Sequence, residues 1–206
     1  MLGQDTLVLS LQNGVDNEDK LCALLGRKRV LGGLCYVGAR IDHPGEVIHS
    51  AAGRVVIGEL DGRRTIRIAQ VERLFEDAGV PVRVSDQIAV EQWKKLCWNL
   101  AFNSVSALTR GTVGDMLTHR GCREIIRNAI AEAVEVAHAR GVDLPDDLPD
   151  RVIADNEPYR DLKTSMLQDV EKGRKLEIEA LNGVVCRYAR EAGLETPTND
   201  IIYALV

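Results

Sequence analysis

Residues 88–108 read IAVEQWKKLCWNLAFNSVSAL, and the interpretation of the whole chain begins from this stretch. Its apolar residues fall on nearly every side of a helix, which is typical of a helix buried in a core. Three polar side chains interrupt the apolar pattern at a spacing of four residues: Lys95, Asn99 and Asn103. Residues four apart lie on the same face of a helix. The stretch therefore predicts a buried helix with one polar line along it.

That polar line requires partners, because burying an ammonium group or an amide without hydrogen bonds is costly. One interpretation is a polar cleft, in which a small oxygen-rich ligand completes the hydrogen bonds. The alternative is that the three side chains bond to nearby backbone or to an acidic residue elsewhere in the fold. Their spacing alone does not choose between the two.

The chain that follows this helix is helical in pattern almost throughout. Breaks at Gly and Pro residues separate four further candidate helices, at residues 120–140, 146–156, 165–171 and 175–192. The last of these would place Glu177 on the same face as Leu181 and Val184, so that a carboxylate points with core residues. Ser165 begins the third, where a serine most often acts as an N-cap. We expect an all-helical domain from residue 85 onward.

The chain that precedes the helix alternates short apolar runs with amphipathic segments. The pattern predicts helices at residues 17–25 and 64–78 and strands at residues 6–11, 30–37 and 80–84. Residues 41–49 are predicted to form a strand, a turn at Pro44-Gly45 and a second strand, and residues 54–59 a third, all of them antiparallel hairpin strands. Such alternation is typical of half of a doubly wound sheet. The predicted fold class is therefore α/β plus all-α, with an α/β domain at residues 1–84 and a helical domain at residues 85–206.

Composition and charge exclude several functional classes. The 206 residues carry a formal net charge of −5, and aromatic residues make up 4% of them. A general nucleic-acid-binding protein needs clustered basic residues for phosphates and aromatic rings for bases, and this composition favours neither. The five cysteines are widely spaced and form no CxxC pair, which suits reduced thiols in a cytoplasmic protein. No apolar run approaches the roughly 20 residues of a membrane span.

Phosphate-binding and metal-binding motifs are not predicted. Neither GxGxxG nor GxxxxGK[ST] occurs in the sequence. Glycine-rich loops of this kind hold the pyrophosphate of a dinucleotide at a helix N-terminus. Because these 206 residues contain no such loop, we expect this chain by itself to bind a dinucleotide weakly. His43, Glu46 and His49 are spaced like metal ligands, but Pro44-Gly45 excludes a helix and alternation along a strand would separate the side chains. No metal site is therefore expected.

Six motifs together resemble the ketopantoate reductase (2-dehydropantoate 2-reductase) family over essentially the whole chain. In chain order they are Gln12-Asn13-Gly14, residues 43–49, Ile57-Gly58-Glu59, Trp93-Lys94-Lys95-Leu96 with Asn99 and Asn103, residues 165–169 and residues 177–183. The resemblance implies an NADPH-binding Rossmann domain, then an all-helical domain, with the active site in the cleft between them. It also implies that about a hundred residues with the glycine-rich loop, roughly half of a Rossmann domain, are missing from these 206.

The resemblance assigns roles to individual residues. Lys95 matches the family's catalytic lysine, the general acid. Substrate contacts are implied for Asn13, Lys95, Asn99, Asn103, Ser165, Met166, Leu167 and Gln168. Cofactor contacts are implied for Asn13, Ala39 and Glu177. Where some members have a further substrate asparagine, this chain has Val113, which leaves the preferred 2-oxo acid open.

The resemblance implies reduction of 2-dehydropantoate to pantoate by NADPH, in pantothenate and coenzyme A synthesis, by a cytoplasmic homodimer. Hydride arriving at C2 would build charge on the carbonyl oxygen, which an ammonium group can stabilise and protonate. Two alternatives stay open. One is a family member that reduces another 2-oxo acid, and the other is a non-catalytic fragment that only associates through its helical surfaces.

Overall fold

The computed structural model describes residues 2–206, apart from the side chains of residues 40, 50 and 51. The chain divides into two compact units, one ending at Gln92 and the other beginning at Trp93. The first unit contains a mixed β-sheet with helices, and the regular structure described in the second is helical. The predicted fold class, α/β plus all-α, is confirmed.

The sheet of the first unit has four strands within the described residues. In order across the sheet they are β1 (Val8–Leu9), β2 (Val30–His43), β3 (Glu46–Gly58) and β4 (Val82–Val84). β2 and β3 are antiparallel, whereas β1 pairs with β2, and β4 with β3, in parallel. The outer strands pair only with the base of the β2–β3 hairpin, at residues 30–31 and 55–57.

The predicted turn at Pro44-Gly45 is present, but the four shorter strands predicted at residues 30–37, on either side of that turn within 41–49, and at 54–59 are in fact two long ones. Each strand continues through residues that the prediction left outside strands, 38–40 in β2 and 50–53 in β3. The register between the two strands shifts at three places. Pro44 and Gly45 make the turn between the arms, where Gly45 has a φ of 87° that favours glycine. Pairing with the opposite arm thus overrides the local glycines that suggested breaks.

Two helices accompany the sheet in the first unit, α1 (Asn17–Leu25) and α2 (Ile66–Asp77). α1 has the predicted bounds, and α2 is shorter than predicted at both ends. One buried cluster of this unit consists of Leu31, Val55, Ile57 and Ile68, and a second consists of Leu34, Val56 and Ile88. Burying such a side chain is worth roughly 1.5–3 kcal/mol, so the periodic apolar positions of α2 and the strands account for its packing.

An ion pair between a buried carboxylate and a half-buried guanidinium links the end of β3 to α2. Glu59 follows β3 and is buried, and Arg67 Nε donates a hydrogen bond to its carboxylate at 2.6 Å. Thr65 Oγ1 donates to the same carboxylate, and Arg67 also donates to the carbonyl oxygen of Lys28. The hydrogen bonds from Arg67 lower the pKa of Glu59 in spite of its burial.

The helical region begins with α3, which starts before the boundary between the units. Its helices are α3 (Ile88–Trp98), α4 (Ser104–Thr109), α5 (Val113–Thr118), α6 (Arg120–Ala139), α7 (Leu148–Asn156), α8 (Ser165–Glu171), α9 (Asn182–Ala192) and α10 (Pro197–Leu205). A π-helical turn, Asn99–Asn103, joins α3 to α4, so the predicted helix 88–108 is continuous but not uniform. No helix within residues 2–206 has the length and apolar character that crossing a membrane requires.

The predicted helices are wrong in two respects. α9 begins at Asn182 rather than at residue 175, because residues 178–180 form only a single 3₁₀ turn. α5 and α10 fall outside the predicted helices, although both starts carry recognisable signals. Thr112 forms a capping box at the start of α5, and Pro197 occupies the first position of α10.

We expect Glu59→Gln to lower the free energy of unfolding at neutral pH by about 1.5–3 kcal/mol, because it removes the charge of a buried carboxylate that is hydrogen-bonded to Arg67. Folding lowers the pKa of Glu59, so the contribution of the pair is complete above about pH 4.3, the ordinary range of a glutamate. It is lost as the pH falls through the lower folded-state pKa. Urea unfolding across a pH series measures both proteins, whose stabilities should converge in acid.

Glu72→Gln, on the helix that carries Arg67, is the matched control. Glu72 pairs with Arg64 at 2.7 Å, but the Arg64 side chain is mostly exposed. Exposed pairs contribute at most about 1 kcal/mol, so this variant should stay close to wild type. A stability difference for Glu59→Gln that persists unchanged into acid would contradict the ion-pair argument.

Candidate functional site

The predicted polar line crosses from α3 into the π-helical turn. Lys95 is half-buried in α3, while Asn99 and Asn103, at the two ends of the turn, are 6% and 1% exposed. Four residues of α-helix advance about 400°, so side chains four apart drift around the axis by about 40°. A π-helical turn holds more residues per turn, so the step from Asn99 to Asn103 offsets this drift. The turn therefore keeps the three side chains on a common face.

Asn103 carries the most informative contact of this face. Its Nδ2 donates to Ser165 Oγ across 3.4 Å. Its Oδ1 is buried and has no hydrogen-bond partner within the part of the chain that the structure describes. A buried acceptor left without a donor costs roughly 1–3 kcal/mol, and native proteins keep few of them. At this position the ligand-cleft interpretation is favoured over the purely structural one.

Two hydroxyl groups hold Ser165 against Asn103. Thr164 Oγ1 accepts a hydrogen bond from Leu167 N at 3.2 Å, so Thr164 is the N-cap of α8. The expectation that Ser165 is the cap is therefore wrong. Thr164 Oγ1 also lies 2.5 Å from Ser106 Oγ, which donates to the carbonyl oxygen of Asn103 at 2.8 Å. Because Thr164 caps the helix, the Ser165 hydroxyl group is not used as a cap, and Ser165 is exposed beside the Asn103 amide.

The other residues predicted on α8 divide between core and surface. Met166 and Leu167 are buried, so their side chains pack inside the helical unit. Gln168 is half-buried, and its Nε2 donates to the carbonyl oxygen of Lys163 at 3.3 Å. Roles in substrate binding stay predictions for these three residues, and Ser165 is the residue of α8 that meets Asn103.

Glu177 does not lie on a helix. It precedes the 3₁₀ turn at residues 178–180 and is exposed. The prediction that its carboxylate is buried among core residues is wrong, because the helix that contains Val184 begins only at Asn182. A cofactor contact by Glu177 stays a prediction.

Asn13 and Ala39, the predicted contacts in the first unit, lie in a turn and on the hairpin. Asn13 is half-buried in the turn between β1 and α1, where its carbonyl oxygen accepts a hydrogen bond from Asn17 Nδ2 at 3.0 Å. Turns of this kind, after a strand with parallel pairing and before a helix, are where α/β folds bind ligands. Ala39 is exposed on β2, opposite His49 of β3. Both cofactor roles stay predictions.

Glu18, in the first turn of α1, is a buried acidic residue that the sequence did not predict as part of a site. Glu18 is buried, Gln92 Nε2 donates to its Oε1 at 2.8 Å, and its Oε2 has no partner among residues 2–206. Burial raises the pKa of this carboxyl. Its position five residues after Asn13 was the available signal. The turn that carries Asn13 is therefore followed directly by a second polar group held out of water.

Sequence analysis also missed the buried amides behind the π-helical turn. Asn182 and Asn199 are fully buried, and Asn182 Nδ2 donates to the carbonyl oxygen of Leu100 at 3.2 Å. Asn182 belongs to the motif at residues 177–183, in which Glu177 is the predicted site residue. An amide beside a glycine in an apolar segment was the signal for it.

The donor set suits an organic anion better than a metal ion. Within residues 2–206, no three His, Cys, Asp or Glu side chains are grouped so as to hold a metal. The polar face instead offers an ammonium group, two amides and, at Ser165, a hydroxyl. These groups donate to carboxylate and carbonyl oxygens, and the amides and the hydroxyl also accept. A small organic anion with carboxylate or carbonyl oxygens matches this chemistry.

Comparison with known proteins assigns both units to one family. Residues 87–206 match the family model described as "Ketopantoate reductase PanE/ApbA C terminal", and residues 1–62 match "Ketopantoate reductase PanE/ApbA". The 2-dehydropantoate 2-reductase of Mesorhizobium japonicum is 34% identical to this chain, over 100% of the chain and 69% of its own length.

Solved structures agree with this assignment. The crystal structure of 2-dehydropantoate 2-reductase from Geobacter metallireducens superposes with a TM-score of 0.91 at 33% identity, covering 100% of this chain and 69% of that one. A ketopantoate reductase from Staphylococcus aureus, described as dimeric, has a TM-score of 0.84 at 27% identity, with 99% and 68% covered. The chain thus spans about two thirds of the length of these relatives.

We expect Thr164→Ala and Ser165→Ala to differ in stability although the two residues are neighbours. Thr164→Ala removes the N-cap of α8 and the contact with Ser106, so it should cost about 1–2 kcal/mol. Ser165→Ala removes no cap and should stay within about 0.5 kcal/mol of wild type. Urea unfolding of the three proteins provides the measurement. Equal losses for both variants would show that the cap is shared.

Proposed function

The chain belongs to the ketopantoate reductase PanE/ApbA family, and on that premise we propose that it works in an enzyme that reduces 2-dehydropantoate to pantoate with NADPH. The observation that carries the proposal is the buried Asn103 Oδ1, left without a partner beside Ser165. We assign residues 1–84 to the cofactor-binding domain and residues 85–206 to the substrate domain, because the polar face lies on the helix that begins at Ile88.

The proposed substrate fits the polar face group by group. 2-Dehydropantoate has a carboxylate, a ketone oxygen and a hydroxyl group. Asn103 Oδ1 needs a hydrogen-bond donor, and the hydroxyl group is the donor that this acid carries. Lys95, Asn99 and Ser165 provide N–H and O–H donors for the carboxylate and the ketone oxygen.

In this mechanism, Lys95 acts on the ketone oxygen. When bound, NADPH supplies the hydride that reduces C2 of the substrate. The Lys95 ammonium group stabilises the negative charge that builds on the oxygen and then donates a proton to it. Asn99, Asn103 and Ser165 hold the acid so that C2 stays in the reactive orientation.

For the cofactor, Asn13, Ala39 and Glu177 are the proposed contacts. The turn between β1 and α1 suits the ribose of a nucleotide, because Asn13 lies in a connection that leads from a strand to a helix N-terminus. Pantothenate and coenzyme A synthesis is the proposed setting. Since all five cysteines are free thiols, we place the enzyme in the reducing cytoplasm. A homodimer is the proposed assembly, supported by the dimeric relative from Staphylococcus aureus.

A panel of 2-oxo acids tests the substrate assignment. The tests use the protein as its gene encodes it, called the intact protein. Its kcat/KM for 2-dehydropantoate should be at least about tenfold higher than its kcat/KM for 2-oxo acids of similar size that lack the hydroxyl group. Those acids leave Asn103 Oδ1 without a hydrogen-bond donor. NADPH oxidation, followed by absorbance, gives both values. Equal kcat/KM values for the acids without the hydroxyl group would favour the alternative that the protein is a family member that reduces another 2-oxo acid. If none of these acids is reduced, the interpretation of the chain as a non-catalytic fragment that only associates through its helical surfaces is favoured.

We expect Lys95→Ala to lower kcat by about 10²- to 10⁴-fold in the intact protein, because it removes the proton donor and the charge that stabilises the oxyanion. Asn103→Ala should mainly raise KM, because it removes a positioning contact. Lys94→Ala is the control, since Lys94 lies about 100° around the helix from Lys95. Thermal unfolding is measured beside the kinetics. A Lys95→Ala protein that melts much earlier yet turns over normally would refute the catalytic role.

A further inference from the structure

A chain of buried hydrogen bonds begins behind the π-helical turn. Asn182 Nδ2 donates to the carbonyl oxygen of Leu100 at 3.2 Å and to Asn199 Oδ1 at 2.9 Å. Ser104 Oγ donates to Asn182 Oδ1 at 2.6 Å. Ser104, Asn182 and Asn199 are each 0% exposed. Both polar atoms of the Asn182 amide are therefore satisfied in a dry environment, where its orientation is strongly determined.

Glu132 anchors the far end of this chain. Its carboxylate accepts hydrogen bonds from Thr198 N at 2.8 Å and Asn199 N at 2.9 Å, at the start of α10, and from Asn199 Nδ2 at 2.7 Å. A carboxylate is favourable at a helix N-terminus. Asn199 Nδ2 also donates to the carbonyl oxygen of Ala129 at 3.0 Å. Helices α6 and α10 thus fix Asn199, which in turn fixes Asn182.

Asn182 bonds to the helix where the helix is irregular. Leu100 lies inside the π-helical turn, between Asn99 and Asn103. Such turns are rare, concentrate at functional sites and are wider than α-helix. A side-chain donor to a carbonyl group within the turn stabilises the irregular geometry. In a regular helix the drift of about 40° per four residues would turn Asn103 away from the face of Lys95.

We propose that Asn182, held by Ser104, Asn199 and Glu132, is a positioning residue that maintains the π-helical turn and so aligns Asn99 and Asn103 for the 2-oxo acid. Asn182 acts through the backbone of Leu100 and not by touching the substrate. The proposal rests on the proposed function, because it takes Asn103 as a substrate contact. The competing view is that the network only stabilises the helical unit.

The test compares KM with stability in the intact protein. Asn182→Leu combined with Ser104→Ala removes the bond to Leu100 and also the hydroxyl group that would lose its acceptor. We expect KM for 2-dehydropantoate to rise about tenfold or more, since small displacements of positioning groups are costly. The Kd for NADPH should be unchanged. In the NMR spectrum, the side-chain amide signals of Asn99 and Asn103 should move.

Asn156→Leu is the matched control. Asn156 is also a buried amide, and it accepts a hydrogen bond from Trp98 Nε1 at 2.8 Å and donates to the carbonyl oxygen of Val152 at 2.7 Å. Neither partner lies within the π-helical turn, so this variant should lower the melting temperature and leave KM unchanged. If the double variant does not fold, Ser104→Ala alone provides the test, with an expected KM increase of about two- to threefold.

The outcomes separate the two proposals. A double variant that melts earlier but keeps the wild-type KM and amide signals would overturn the positioning role. If the double variant does not fold, a Ser104→Ala protein with unchanged KM would likewise overturn the positioning role. An Asn103→Ala protein with unchanged KM would instead overturn the proposed function, whatever Asn182 does.

Discussion

The π-helical turn at Asn99–Asn103 is the constraint on which the proposed site depends. It inserts one wide turn into an otherwise apolar helix and so keeps two buried amides in line with Lys95. The turn is held from two sides. Asn182 donates to the carbonyl oxygen of Leu100, and Ser106 Oγ donates to the carbonyl oxygen of Asn103. The geometry of the polar face is therefore a consequence of hydrogen bonds made behind it.

These bonds place unusual polarity in the centre of the helical unit. Ser104, Ser106, Asn182 and Asn199 are all buried where apolar side chains would pack without the need for partners. Buried polar groups that are fully paired make a core rigid and specific, whereas an unpaired one destabilises it. Asn103 Oδ1 is the exception to the pairing in this unit, within the residues that the structure describes. A local departure from good packing at this position is what a binding site would produce.

The first unit depends on a different kind of contact. Its sheet is built on one long hairpin, and the outer strands pair only with the base of that hairpin. The pair between the buried Glu59 carboxylate and the half-buried Arg67 then connects the end of β3 to α2. Asn13 and Glu18 lie at the other strand-to-helix connection, between β1 and the first turn of α1. Both strand-to-helix connections in this unit thus carry buried or half-buried polar groups. The connection between β1 and α1 contains Asn13, one of the proposed cofactor contacts.

The sequence by itself determined the fold class, the bounds of α1 and α8 and the polar line on residues 88–108, because apolar periodicity and Gly or Pro breaks are local properties. It did not determine the π-helical turn, the choice of Thr164 as the cap or the exposure of Glu177. These depend on contacts between distant segments: Asn103 meets Ser165 across 62 residues, and Ser104 meets Asn182 across 78. Only the tertiary structure decided which buried amide is fully paired and which keeps an oxygen without a hydrogen-bond partner among the described residues, because those partners are supplied by the fold and not by neighbours in the chain.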